Sequence, residues 1–426
     1  MYLHLHPEMP LGTMKPLHGI DNGPLSMGGY YDLSEEYREM GVPFVRLHDT
    51  DYPYPQAVDV YQIFRDFSKD PTDPANYDFL LTDQYITAIH NVGAQIIYRL
   101  GTSIEHMKEK RYIAPPEDTK KFAVVCEHII RHFNEGWANG FRYGIRYWEI
   151  WNEPEGNCMW SGSKEDYFHL YEAVSKHLRR IFGNTIRIGG YASSGLYGSE
   201  LPAEKRQDWQ NDWISFFEAF LCFVRETACP FDFFSFHYYG TNPAIISRYI
   251  TYAREHVTTA GFPEALIILD EWNAWAYDWI TEMRGAKHVL SMMHAFANAP
   301  LDIATYYDGQ PHMGWCGLFD RLRQKKKPFY AFCLYNKLYR LGTRISVESD
   351  DNIVCLAATN GQNVGLLLVG MEEDISITIQ GFSSSAVHAQ LLDDVNDLAD
   401  YPITVMDAKI LCTLPQDAVI YIEMEM

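Results

Sequence analysis

Two glutamates set the chemical question. Glu153 stands in YWEIWNEPEG (147–156), where an apolar run stops at Asn152, Glu153 and Pro154; Glu271 closes a second run, ALIILDEWN (265–273). A carboxylate ending a core strand either caps a turn or performs chemistry. Two carboxyls roughly 5–5.5 Å apart can cleave a glycosidic bond through a covalent intermediate, one attacking and the other shuttling a proton. One chain supplies such a pair only from distant positions, and these are distant. The chemistry also needs the two pKa values pushed apart. Desolvation by Trp148 and Trp151, together with the negative charge of the nucleophile, is expected to raise the pKa of Glu153. Hydrogen bonds from a tyrosine or an arginine are expected to hold Glu271 ionised.

Something must bring the two acids together. From residue 17 to 342 short apolar runs alternate with helix-period stretches. The strand candidates are LHGID (17–21), FVRLHD (44–49), QIIYRLG (95–101), YWEIWNE (147–153), IRIGGYAS (186–193), FDFFSFHYYG (231–240), ALIILDEWN (265–273) and IATYYDG (303–309). Near-continuous apolarity suits strands covered on both faces, as in a parallel sheet under helices. Between them, Phe122, Val125, Cys126, Ile129, Ile130 and Phe133 fall on one helical face. Tyr167, Leu170, Tyr171, Val174, Leu178, Ile181 and Phe182 repeat the pattern behind Ser163 and Asp166 at capping-box spacing. Eight such units predict a (β/α)₈ barrel over 17–342. The rival, a doubly wound open sheet, usually carries a Gly-rich phosphate loop after its first strand, and none is present.

In such a barrel, function gathers at the C-terminal strand ends. The polar residues there are Arg46, His48 and Asp49; Asn152 and Glu153; His237, Tyr238 and Tyr239; Glu271 and Asn273; Tyr307 and Asp308. Each has a plainer reading. His237, between Phe236 and Tyr238, could be a hydrogen-bonded core residue, and so could His48. Asp49 could hold Arg46 in an ion pair. Trp315, in the loop GQPHMGWCG, could line the site or fill a domain interface. His4 and His6 could ligate a metal, but an alternating strand face explains them.

The texture changes after PFYAFCLYNKLYRLG (328–342), the last predicted barrel helix. Residues 343–426 read as short strands, with Asn360–Gly361 between two apolar runs as a hairpin signal. A small β-sandwich is expected there, and residues 1–16 could add a strand to it.

Bulk properties narrow the partners. The formal charge of −21 repels polyanions, so nucleic acid and anionic membranes are poor partners and a neutral saccharide is a better one than an acidic one. The lone basic run, Lys325–Lys327, reads as a solvated loop. Eight cysteines at irregular spacing, with no CxxC, point to free thiols rather than zinc ligands or a disulfide framework. No signal peptide is visible and no run of about 18 apolar residues suggests a membrane span, so a cytoplasmic location is expected.

HGIDNGP (18–24), FVRLHD, EIWNEPE, SFHYYG, LDEWN and KPFYAFCLYNKLYRLG, in that order, resemble glycoside hydrolase family 39, the β-xylosidase and α-L-iduronidase family. WNEP alone is shared by a large clan; six segments in sequence are specific, and they span nearly the whole chain. The resemblance implies a retaining glycosidase with Glu153 as acid/base and Glu271 as nucleophile, needing no metal or organic cofactor. It implies that Asn152 binds the sugar 2-hydroxyl, that Tyr239 hydrogen-bonds the nucleophile and that His48 contacts the glycone. His237, Asp49, Tyr307 and Trp315 are counted with the sugar-lining residues. The chain departs from the xylosidase pattern in FVRLHDTDYP, with Asp49 and Asp51, and in YYDG. The expected activity is exo-acting and β-xylosidase-like on oligosaccharides. The alternatives are an arabinoside or endo-acting hydrolase and a non-catalytic sugar-binding barrel.

Overall fold

Every one of the eight predicted runs contains a strand in the computed structural model, which describes residues 1–425 except 51, 55, 104–109, 276, 312–313, 350–352 and 383–385. Asp51 of the acid-rich loop therefore lies outside the described residues. The strands are Gly19–Asp21, Phe44–Leu47, Gln95–Leu100, Tyr147–Ile150, Arg187–Ser193, Phe233–Tyr239, Leu266–Asn273 and Ile303–Tyr306, called first to eighth below. They close into a barrel in sequence order, each parallel to the next, the eighth pairing with the first.

Strand alternation layers the interior. Phe44, Ile97, Tyr147, Phe233, Ile268 and Ile303 meet in one buried apolar layer. Two residues further along their strands stand Arg46, Glu149, Ser235 and Asp270, all buried. One step beyond Ser235 comes His237, and then Tyr239. The interior thus turns from apolar to charged in a single step.

Residues of opposite parity face the helices. The helix Thr119–Asn134 buries Phe122, Val125, Cys126, Ile129, Ile130 and Phe133, as its period predicts; each such side chain is worth roughly 1.5–3 kcal/mol. Asp118 caps it by accepting from the backbone N–H groups of Lys120 and Lys121. The helix Lys164–Phe182 starts on the expected capping box: Asp166 N–H donates to Ser163 Oγ at 3.1 Å, and Ser163 N–H to Asp166 Oδ2 at 2.9 Å.

The C-terminal part is one continuous ten-stranded sheet rather than two separate ones. Strand Tyr2–Thr13 sits inside it, antiparallel to Thr343–Ser349 and parallel to Ile375–Gln380. The sheet bends over itself: Leu366, Leu368, Ile420 and Ile422 of one wing share a core with Ile377, Ile379, Ile410 and Leu414 of the other. Leu356, Leu367 and Tyr421 belong instead to the barrel's core, beside Phe329, Leu334 and Leu338 of the helix Lys327–Leu341. The lysine run is not a loose loop. Lys325 pairs with Glu39, Lys326 with Asp320 and Lys327 with Asp397, tying that helix start to its surroundings. All eight cysteines are free thiols. No described helix is long and apolar enough to cross a membrane.

Candidate active site

Arg46 is the hub of the charged layer. Its guanidinium is fully buried and reaches five side chains. Nε and Nη2 donate to Glu149 Oε2 at 3.0 and 2.9 Å, and Nη2 to Asn152 Oδ1 at 2.6 Å. Nε also lies 3.0 Å from Asp270 Oδ2, and Nη1 lies 3.4 Å from Asp21 Oδ1 and 3.1 Å from Glu271 Oε2. Asp49, the expected partner, is not among these ion pairs. Its carboxylate lies 3.6 Å from His48 Nε2, with both side chains buried. The reason is parity: two positions past Arg46 come His48 and a turn, with Asp49 at φ +53°.

Asp270 and Glu271 are consecutive, so regular alternation would send them to opposite faces. A bulge prevents this. Leu269 pairs with Phe236 and Glu271 with His237, leaving Asp270 as the extra residue. Both acids therefore face Arg46.

His237 joins the two glutamates. Its Nδ1 lies 2.8 Å from Glu153 Oε1, and its Nε2 lies 3.6 Å from Glu271 Oε2 and 3.7 Å from Asp270 Oδ2. The fourth and seventh strands thus deliver their acids to opposite ends of one imidazole. Tyr239 O–H donates to Glu271 Oε1, the other oxygen of that carboxylate. Glu153 is held in left-handed backbone at φ +45°, where a non-glycine residue costs roughly 1–2 kcal/mol. Its N–H donates to Ala192 O at 2.9 Å, on the fifth strand, and Ala192 is itself at φ +52°. Strain of this kind persists only where surrounding contacts over-determine it, and it concentrates at functional sites.

Burial and charge compete throughout the cluster. Burial disfavours a cationic His237, but Glu271 and Asp270 outweigh it and hold the imidazole well above its usual pKa. Burial would raise Asp270, but Arg46 and His237 hold it below the usual carboxylate range. Glu149 goes the other way, pushed up to about 8 by burial against the pull of Arg46. Asp21 is raised well above its usual value for the same reason. Burial also raises Glu271, despite His237, Arg46 and the Tyr239 hydrogen bond. The expected tyrosine and arginine hydrogen bonds to Glu271 are present, but burial outweighs them. The tryptophans expected to desolvate Glu153 lie elsewhere. Trp148 points outward between inward-facing Tyr147 and Glu149, stacked 5.0 Å from Tyr98. Trp151 turns out against Trp160 and donates to Met159 O at 2.8 Å.

Around the two acids the structure gathers most of the rim residues. Asn152 sits on Arg46. Tyr307 is buried with its ring 6.4 Å from that of Tyr239. Trp315 is half-buried, 5.0 Å from Tyr239, and its carbonyl accepts from Asn273 Nδ2 at 2.7 Å. Asp49 contributes its carbonyl to Gln310 Nε2 at 2.9 Å, linking the loops of the second and eighth strands. His4 and His6 belong to the sheet remote from this site, where His6 Nδ1 lies 3.1 Å from Glu8. Sequence reasoning missed Asp21, Glu149 and Asp270, the inward acids beneath the rim. Counting forward by two from Tyr147, or back by four from Glu153, would have marked Glu149; the bulge hides Asp270. It also passed over Trp275, which stacks on Tyr239 at 5.6 Å.

Residues 30–262 match the sequence profile of the glycosyl hydrolases family 39. Comparison with curated proteins gave no match. The fold is similar to a glucosidase from Croceicoccus marinus, with 19% identity, TM-score 0.83, and coverage of 100% of this chain and 99% of that one. It is also similar to a monomeric β-xylosidase from Caulobacter crescentus CB15, with 14% identity, TM-score 0.77, and coverage of 100% and 99%. A third is an enzyme of the same family from Xanthomonas axonopodis pv. citri, with 15% identity, TM-score 0.74, and coverage of 100% and 97%.

Proposed function

This chain belongs to the glycosyl hydrolases family 39 and is a glycosidase; from that premise we propose a retaining, exo-acting enzyme that removes β-xylosyl units from neutral oligosaccharides. The observation that carries the reading is the His237 imidazole between Glu153 and Glu271. Glu271 attacks the anomeric carbon while Glu153 gives its proton to the departing oxygen. Glu153 then takes a proton from water, which releases the sugar from Glu271. Negative charge leaves Glu271 as its ester forms and arrives on Glu153 as its proton departs. A cationic His237 touches both ends of that exchange, so at each stage one of its nitrogens faces an anion. Asn152, its oxygen taken by Arg46, presents its amide N–H group to the sugar 2-hydroxyl. His48, Asp49, Tyr307 and Trp315 line the glycone. A β-xyloside is supported by the family resemblance and by a β-xylosidase among similar folds, and a neutral substrate by the charge of −21.

The test is covalent trapping. A 2-deoxy-2-fluoro-β-xyloside with a good leaving group should add one fluorosugar to the peptide carrying Glu271, read by mass spectrometry. Aryl β-xylosides, β-glucosides and α-L-arabinofuranosides assayed beside it identify the glycone. Product of inverted anomeric configuration, or a label on another carboxylate, rejects the assignment.

Tyr239→Phe offers a second check. Activity needs Glu271 ionised, so it is present above that group's pKa and lost as pH falls through it. Burial already places that limb above the ordinary glutamate value of 4.5. The Tyr239 hydrogen bond lowers the Glu271 pKa, so its loss should shift the acid limb of kcat/KM to higher pH. With a charged hydrogen bond gone, kcat should fall about 10- to 100-fold. An unmoved acid limb would separate Tyr239 from the nucleophile's ionisation.

A further inference from the structure

One large side chain at the barrel mouth has no part in the mechanism above. Trp275 lies two residues past the seventh strand and is 52% exposed. It is not an isolated surface tryptophan. Its ring stacks on Tyr239, 5.6 Å between centroids and 28° between planes, and lies 6.1 Å from Trp315. Tyr239 in turn donates to Glu271. The exposed indole is therefore one ring removed from the nucleophile, and its shielded side rests on the catalytic tyrosine. The buried residues His48, Asp49, Asn152 and Tyr307 lie deeper, at the ends of other strands. An indole outside them meets what projects from the glycone pocket, which in an exo-acting enzyme is the leaving group. A β-linked pyranose with equatorial substituents presents an axial C–H face that suits a flat, uncharged aromatic surface. Exposed apolar area joined to an aromatic cluster at the barrel mouth marks a binding surface rather than a stray side chain.

We propose that Trp275 forms the subsite for the first sugar on the leaving-group side, stacking on a neutral pyranose of an oligosaccharide. The inference rests on the glycosidase reading and names the substrate part that this rim recognises. It predicts a preference for saccharide leaving groups over small ones, because only a ring can use the platform.

The experiment compares two substrates that share a glycone, taken as the one wild type hydrolyses fastest among the aryl glycosides: the β-linked disaccharide and the β-glycosyl fluoride. The readout is the ratio of kcat/KM for the disaccharide to that for the fluoride. Trp275→Ala should lower this ratio about tenfold, the loss of one aromatic stacking contact, and Trp275→Phe should restore part of it. A disturbance passed through Tyr239 to Glu271 would slow both substrates and cancel in the ratio. An unchanged ratio in Trp275→Ala, or one that Trp275→Phe fails to restore in part, overturns the proposal. Failure of the xyloside assignment would leave the comparison intact, since the glycone is chosen by assay.

Discussion

Glu271→Ala should reduce kcat on an aryl β-xyloside by on the order of 10⁵-fold while stabilising the fold at neutral pH. Under the proposed double displacement, the rate loss follows from removing the carboxylate that attacks the anomeric carbon. The stability gain follows from burial. The folded-state pKa of Glu271 is raised above its ordinary value, so folding penalises the ionised form. A group shifted upward contributes its full share below the unfolded pKa and loses it as pH rises through the folded value. At neutral pH wild type therefore carries a cost that the alanine variant lacks, and near pH 4 that difference should vanish. Thermal melts at the two pH values measure it. Azide separates the roles of the two acids. It should rescue Glu271→Ala by direct attack on the β-glycoside, giving the α-azide. Glu153→Ala should lose about 10²- to 10⁴-fold on poor leaving groups and give the β-azide, because azide there intercepts the glycosyl-enzyme. Turnover near wild type in either variant, or the same azide anomer from both, would dismiss the two-glutamate scheme.

A residue's place was legible in the sequence where it obeyed strand alternation. The barrel was legible because its strands are continuous apolar runs and its helices have clean period. The placing of Glu153 and Glu271 at the barrel mouth was legible because each closes such a run. What lay beneath them was not. Asp270 reads as a residue facing away from Glu271, and only a bulge, invisible in one dimension, turns both toward Arg46. Glu149 has the right parity but sits among Tyr147, Trp148 and Ile150, where apolar neighbours hide one inward carboxyl. Trp148 and Trp151 misled for the complementary reason. Closeness in sequence to Glu153 suggested contact, yet alternation and the positive φ of Trp151 send both rings into the helix layer. The pairing of Arg46 could not be read from its neighbours either. Asp49, three residues away, faces His48, while the actual partners come from three other strands, the first, fourth and seventh. The bent ten-stranded sheet is a related case: the strands were plain in sequence, but their order around Tyr2–Thr13 depends on long-range pairing.

The largest stability effect should come from Arg46→Met, a substitution that fits the apolar stem and deletes the charge. Four carboxylates lie within ion-pair distance of the guanidinium, all in the barrel interior. Removing one partner of a buried ion pair typically costs about 3–5 kcal/mol, because the remaining charge is left without compensation. The direction with pH distinguishes this cause from lost packing. With Arg46 gone, Asp270 loses the strongest of the interactions that hold its pKa down. Asp21, Glu149 and Glu271, already raised, lose the cation that opposed their rise. All four then favour the protonated form more strongly in the folded state than they do in wild type. Below the unfolded carboxylate pKa each is protonated in both states and the penalty disappears; it grows as pH rises and is complete only above each folded-state pKa. The variant's deficit in unfolding free energy should therefore be larger at neutral pH than near pH 4, where wild type itself retains a buried guanidinium with fewer anions around it. A deficit of equal size at both pH values would assign the loss to packing alone. Activity should fall in parallel, since Asn152 and Glu271 both take their position from Arg46. A hydrophobic replacement can thus report whether the charged layer exists to stabilise the barrel or to place its acids. Recovery of stability at low pH without recovery of turnover on an activated aryl glycoside would favour the second.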